Sequence, residues 1–150
     1  MWTCDPATAK LKGTVMSRRT VESQHGPRAI GPYAHAVWAG DVIYLSGQTP
    51  IDPSTGQLVA GDIAAQTQRV FDNVEAVLSD AGLAMDDVVK CNVYLTTMRD
   101  FGGMNAVYQT RFAAPYPART TVAVAELPLG ALVEIEVVAH RTTRTGQSLV

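Results

Sequence analysis

Apolar residues recur at alternate positions in five short stretches of this chain and at helical spacing in two longer ones. Residues 34–39 and 42–47 predict two strands joined at Gly40-Asp41, a hairpin signal with β-branched and aromatic flanks. Residues 49–61 hold Pro50, Asp52, Pro53, Ser54, Gly56 and Gly61, which is loop chemistry. Asp62 then caps a helix with apolar positions at Ile63, Val70, Val74, Val77, Leu78 and Ala81, and Gly82 ends it. Residues 88–95 alternate again, with Val89, Cys91, Val93 and Leu95 on one side and Lys90, Asn92 and Tyr94 on the other. Asp100 is the expected cap of a second helix, which carries Phe101, Met104, Tyr108 and Phe112 at helical spacing and is over before Pro115.

Two last strands flank a turn at residues 127–130. In the first, Val122 and Val124 share a face and Arg119, Thr121 and Ala123 take the other. In the second, Val133, Ile135 and Val137 form the apolar set, and Glu134 and Glu136 point the opposite way. If both apolar sets face one core, Arg119 and Glu134 lie together on the far face of the sheet. An ordinary cross-strand ion pair, worth about 0.2–1 kcal/mol, is one account of that placement. The element order β-β-α-β-α-β-β predicts a two-layer α+β fold with both helices on one face. The other face would then carry Tyr44, Ser46, Thr121, Ala123 and Val138, too apolar a set for open water, so other copies of the chain are expected to cover it.

At 150 residues the chain fits one domain. Residues 1–27 sustain no period and are expected to be a disordered leader, with residues 28–141 the folded domain and 142–150 a polar tail. Met16 offers an alternative start, and an excess of basic residues in the leader leaves an organelle transit peptide as a second account of it. A net charge of −2 without a basic stripe argues against nucleic acid, and no apolar run reaches the ~20 residues of a membrane span. Cys4 and Cys91 form no Cys-x-x-Cys and suit a reducing, cytoplasmic setting.

The chain lacks a Gly-x-Gly-x-x-Gly, a P-loop, a Gly-x-Ser-x-Gly elbow and a His-Glu-x-x-His. His25, His35 and His140 have no metal-ligand spacing and read as surface or strand-end residues, so no metal and no cofactor are expected. What remains is a small polar pocket built from Arg119, Glu134, hydroxyls and exposed backbone groups.

Five segments then stand in a telling order: Ala29-Ile30-Gly31-Pro32-Tyr33, Leu45-Ser46-Gly47-Gln48, Asn105, Pro117-Ala118-Arg119 and Val133-Glu134-Ile135. Together they resemble the reactive intermediate deaminase family (RidA/YjgF, endoribonuclease L-PSP-like) across residues 28–141. The resemblance implies a chorismate-mutase-like fold of the bacillus type, a homotrimer, and active sites in clefts between subunits. It implies hydrolysis of imines and enamines such as 2-aminoacrylate or 2-iminopropionate to 2-oxo acids and ammonia, without a cofactor. By position, Arg119 matches the family's carboxylate-binding arginine and Glu134 its water-positioning or water-activating glutamate. Tyr33, Ser46, Gly47 and Asn105 match further pocket residues, with Tyr33 and Asn105 expected from the neighbouring chain. Many members carry cysteine where this chain has Thr121, which removes sulfur chemistry there and leaves the Thr121 backbone as a substrate contact.

These roles agree with the chemistry of the residues. Arginine's planar fork binds a carboxylate bidentately, which holds the neighbouring C=N carbon at a set distance from a water on Glu134. A nearby Arg119 would also keep Glu134 ionised, ready as a base but weakened. A trimeric binding protein for 2-oxo acids would use the same arginine without turnover. RNA contact, suggested for relatives, finds no basic stripe, and a chorismate mutase would need a second cationic clamp that the neighbourhood of Arg119 does not supply.

Overall fold

A six-stranded sheet and two helices make up the computed structural model, which describes residues 18–142. The strands are β1 (Arg19–Val21), β2 (Ala36–Ala39), β3 (Val42–Leu45), β4 (Val88–Leu95), β5 (Ala118–Ala123) and β6 (Val133–His140); the helices are α1 (Ile63–Asp80) and α2 (Phe101–Arg111). They lie in the sheet order β1-β2-β3-β6-β4-β5. Only β4 and β5 run parallel, joined by α2 as a crossover.

The centre is β6, the longest clean alternation in the chain. Its odd positions Val133, Ile135, Val137 and Ala139 are fully buried, and its neighbours β3 and β4 bury Ile43, Leu45, Cys91, Val93 and Leu95 on the same side. Val70, Phe71, Val74, Val77 and Leu78 of α1 and Met104, Val107 and Tyr108 of α2 join that core, so both helices cover one face, as the pattern predicts. Phe71 sits edge-on to both Tyr108 and Phe112, with centroids 5.8 and 5.7 Å away. Burial pushes the Cys91 thiol up to about 11, which makes it a packing residue.

The ends of α1 follow the sequence closely. Asp62 accepts from the Ala65 N–H at 3.0 Å, and Gly82 takes φ 78°. The N–H groups of Gly82 and Leu83 then reach the carbonyls of Ser79 and Leu78, a Schellman closure with Leu83 packed against the core. α2 starts differently from the expectation. Asp100 makes no side-chain cap bond; Thr97 accepts from the Arg99 N–H and opens a 3-10 turn, Met98–Asp100, that runs into the helix.

Two further expectations are corrected. The first is the leader: residues 19–27 belong to the fold, so it ends earlier than residue 27. β1 pairs antiparallel with β2, and the Arg19 and Arg141 guanidinium groups lie 4.8 and 4.2 Å from the ring centre of Trp38. Residues 1–17 and 143–150 lie outside the described residues, so only the inner ends of the predicted leader and tail can be compared with the structure. The second is the phase of β5. Parallel pairing sets Arg119 beside Cys91 and Thr121 beside Val93, which turns Arg119 and Thr121 toward the helices. Thr120 accepts from Lys90 Nζ at 2.8 Å on the opposite face, where Val122 is 41% exposed. Arg119 and Glu134 are therefore on opposite faces, and the ion pair between them is not formed. The uncovered face holds Tyr44, Val122, Tyr94, Asn92, Glu134, Glu136 and Val138, while Thr121 and Ala123 belong to the helix side.

Among the described residues no helix is long and apolar enough to cross a membrane. The segment from β1 to Gln24 gives a stability prediction. A chain that begins at His25 loses β1 and the Ser23 and Gln24 hydrogen bonds to the Asp80 carboxylate. Denaturant titration should show it less stable by about 2–4 kcal/mol, since a bond to a charged group is worth about 1.5–3 kcal/mol. An unchanged midpoint would show that the segment contributes nothing.

Candidate functional site

Two cavities hold all but one of the residues singled out by sequence, and they share none of their walls. The first, about 300 Å³, lies beside Glu134 and includes Tyr33, Ser46, Gly47 and Gln48, with Ile30 and Leu129 at its rim. Glu134 reaches it because even positions of β6 point away from the helices. A Cβ at position 47 would overlap the Glu134 carboxylate, so only glycine lets the acid fold back against the loop after β3. That loop is held tightly: Gln48 exchanges backbone bonds of 2.8 and 3.1 Å with Ile135, and its Nε2 donates to the Ser46 carbonyl. The Ser46 hydroxyl donates to the Ala34 carbonyl at 2.7 Å, which leaves its lone pairs as acceptors.

The electrostatics around Glu134 differ from the expectation that Arg119 keeps it ionised. Burial, and secondarily the charge of Glu136, raise its pKa above the ordinary carboxylate value. Glu136 is itself held by Asn92 Nδ2 at 2.9 Å and by the Tyr94 hydroxyl at 2.8 Å. The hydrogen bond to Glu136, with burial and the two carboxylates, raises the Tyr94 pKa in turn, so the phenol stays a donor.

The second cavity, about 350 Å³, is lined by Asn105, Tyr108, Gln109, Tyr116, Pro117 and Arg119. Arg119 Nη1 donates to Asn105 Oδ1 at 2.7 Å, and the guanidinium carbon lies 4.5 Å from the Tyr108 ring centre and 5.5 Å from that of Phe101. No carboxylate pairs with it among the described residues. A fixed cation held by an amide and two ring faces keeps its charge and most of its donors for an anion.

The predicted residues thus fall into two groups. Tyr33, Ser46, Gly47 and Glu134 stand together; Arg119 and Asn105 stand together. Tyr33 and Asn105, both expected from the neighbouring chain, belong to different groups. Thr121 lines neither cavity, and its Oγ1 is buried without a hydrogen-bond partner. Sequence reasoning missed Glu136, Tyr94 and the Tyr108–Phe101 seat. Glu136 carried a signal, its position two residues from Glu134 on a strand; Tyr108 and Phe101 read only as helix core positions.

The profile of the endoribonuclease L-PSP family matches residues 23–141. The chain belongs to that family, which includes the RidA and YjgF proteins. It is 44% identical over 126 residues to a RutC family protein of Pyrococcus abyssi, covering 84% of this chain and 99% of the relative. It is 42% identical over 126 residues to the 2-iminobutanoate/2-iminopropanoate deaminase of Escherichia coli, covering 82% and 98%. Among solved structures it is similar to Escherichia coli TdcF with bound serine, at 38% identity, a TM-score of 0.78 and coverage of 83% and 99%. The match begins inside the predicted leader, in agreement with the ordered Ser23.

The carboxylate environment is open to direct test. Followed by carboxyl NMR, Glu134 should titrate above the ordinary range, and Glu136→Gln should move that titration to lower pH by removing the repulsive charge. No movement on Glu136→Gln would leave burial as the sole cause.

Proposed function

We propose that the protein hydrolyses imines and enamines of small 2-oxo acids to the 2-oxo acid and ammonia. The observation that carries this reading is the pair of complementary half-sites: an unpaired, ring-seated Arg119 and a glutamate of raised pKa, in separate cavities of one chain. Relatives at 42–43% identity named 2-iminobutanoate/2-iminopropanoate deaminases support it, as does the serine bound to TdcF, a ligand with a carboxylate beside an amine-bearing carbon.

In this proposal the site is completed between copies of the chain, in a homotrimer of the bacillus chorismate-mutase type. Arg119 and Asn105 of one copy face Tyr33, Ser46, Gly47 and Glu134 of the next. The exposed Tyr44 and Val122 of the uncovered sheet face, at 52% and 41%, are the surface such an assembly would bury.

The chemistry follows from the residues. Arg119 takes the substrate carboxylate with two parallel N–H···O bonds, which places the C=N carbon. Glu134 accepts a proton from water as the water oxygen bonds to that carbon and the C=N electrons move to nitrogen. The proton returns to nitrogen, giving a carbinolamine; Glu134 then carries the hydroxyl proton to that nitrogen, the C–N bond breaks and ammonia leaves as the C=O forms. One water is consumed and no redox change occurs. A carboxylate of raised pKa takes that proton from water more readily than an ordinary one. An enamine needs one more step first: a proton adds to its β-carbon and one leaves its nitrogen, which gives the imine. The reaction calls for no cofactor.

The test is to generate 2-aminoacrylate with a dehydratase and follow pyruvate release with and without the protein. Arg119→Lys keeps the charge but loses the fork, and should cost roughly 10- to 150-fold in kcat/KM, the loss of one charge-assisted bond. Glu134→Gln should lower kcat while leaving 2-oxo acid binding by calorimetry near the parent value. A parent that binds 2-oxo acids without accelerating pyruvate release would be a binding protein, and the deaminase reading would fall.

A further inference from the structure

Between β1 and the Glu134 cavity the chain runs as a strap, and two side chains outside the proposed reaction fasten it. Asp80 is the last residue of α1, where a carboxylate sits against the helix dipole and needs donors to hold it. It has them. Its Oδ2 accepts from the Ser23 hydroxyl at 2.6 Å and from the N–H groups of Gln24 and His25 at 2.8 and 3.1 Å, and its Oδ1 lies 2.6 Å from His25 Nδ1. Burial opposes its ionisation, but these hydrogen bonds outweigh burial and hold the carboxyl well below the usual range.

His35 fastens the other side. It is a strand-end residue, directly before Ala36 of β2, but not a surface one, being 4% exposed. Its Nδ1 accepts from the Ser23 N–H at 3.1 Å, so its proton is on Nε2, which donates to the Pro27 carbonyl at 2.8 Å. The Gly26 N–H closes the turn on Ser23 Oγ at 2.9 Å, and a Cβ on Gly26 would crowd both Ser23 and Val77. Directly beyond this clamped turn, Pro27, Arg28, Ile30 and Tyr33 form a wall of the Glu134 cavity.

We propose that Asp80 and His35 are positioning residues of the Glu134 half-site, clamping residues 23–27 and so setting where Pro27, Ile30 and Tyr33 stand against Glu134. For its effect on turnover, this rests on the function proposed above. Neither side chain needs to touch substrate: Asp80 acts through the turn it holds, and His35, itself part of the lining, acts through its bonds to Ser23 and Pro27. A loosened wall admits water to Glu134 and relieves the burial that raises its pKa. The charged and titratable groups around that carboxyl are Glu136, Tyr94 and Glu126 on the sheet side and Arg28, Tyr33 and His35 on the strap side. Glu22, 3.4 Å from His35 Nδ1, is the charge nearest the second clamp.

The test compares Asp80→Ala and Ser23→Ala with the full-length parent by hydrogen exchange, carboxyl NMR and kinetics. Asp80→Ala should speed exchange in peptides covering residues 22–30 and leave α2 and β5 unchanged. It should also move the Glu134 titration to lower pH and reduce kcat/KM five- to tenfold. Ser23→Ala, which removes only a hydroxyl, should give the same pattern in smaller size and carries the test if Asp80→Ala does not fold. His35→Gln keeps one acceptor and one donor and should retain more kcat/KM than His35→Leu. If the strap loosens while the Glu134 titration stays at the parent value, the clamp is structural only and the proposal is overturned; unchanged exchange also overturns it. The titration is read without substrate, so a parent that turns over no imine would defeat the proposed function while leaving this comparison decisive.

Discussion

Consecutive residues of a strand face opposite sides of its sheet, and β6 uses that rule for two purposes at once. Val133, Ile135, Val137 and Ala139 anchor both helices from the middle of the sheet. The residues between them, Glu134 and Glu136, are thereby forced onto the uncovered face. Every feature of the first cavity depends on that phase, including the glycine at 47 that makes room for the acid and the Tyr94 and Asn92 donors that hold its neighbour. Slipping β6 by one residue would bury two carboxylates in the core and expose four apolar side chains, so the register that stabilises the fold also locates the glutamate.

The same rule, applied to β5, separates the arginine from it. Pairing with β4 turns Arg119 to the helix side, where two aromatic rings and an amide seat it. The consequence is an unsatisfied cation at one place and a carboxylate with raised pKa at another. The second arrangement works against stability. A carboxyl whose pKa is higher folded than unfolded binds its proton more tightly in the folded state, so its ionisation near neutral pH disfavours folding. Such a cost is retained where a carboxyl has a chemical task.

Much of this was legible in sequence, for reasons that differ by element. α1 carried its own cap, stripe and terminal glycine, and β4 and β6 carried strong alternation, because each has a buried face that must be apolar. β1 is three residues at the sheet edge, too short to show a period. β5 is also an edge strand, and its residues Ala118–Ala123 are small, hydroxylated or charged, so its phase is set by its partner strand rather than by its own pattern. Val122 looked like core and is exposed; Arg119 was expected on the far face of the sheet and is seated against rings on the helix side. The candidate site residues were named through family resemblance. Their division into two groups was not legible, because it follows from the β5 phase. The Asp80 clamp was hidden too, since its partners lie more than fifty residues away.

The central claim is that one active site takes Arg119 from one copy of the chain and Glu134 from another, and subunit mixing tests it most directly. Arg119→Ala and Glu134→Gln, each expected to have little activity alone, would be unfolded together at equal concentration, refolded and assayed for 2-aminoacrylate hydrolysis. Random assembly into rings places an intact arginine opposite an intact glutamate in about a quarter of the clefts, so the mixture should recover about a quarter of parental activity. A mixture as inactive as its components, with mixed assemblies shown by mass, would contradict a site shared between chains.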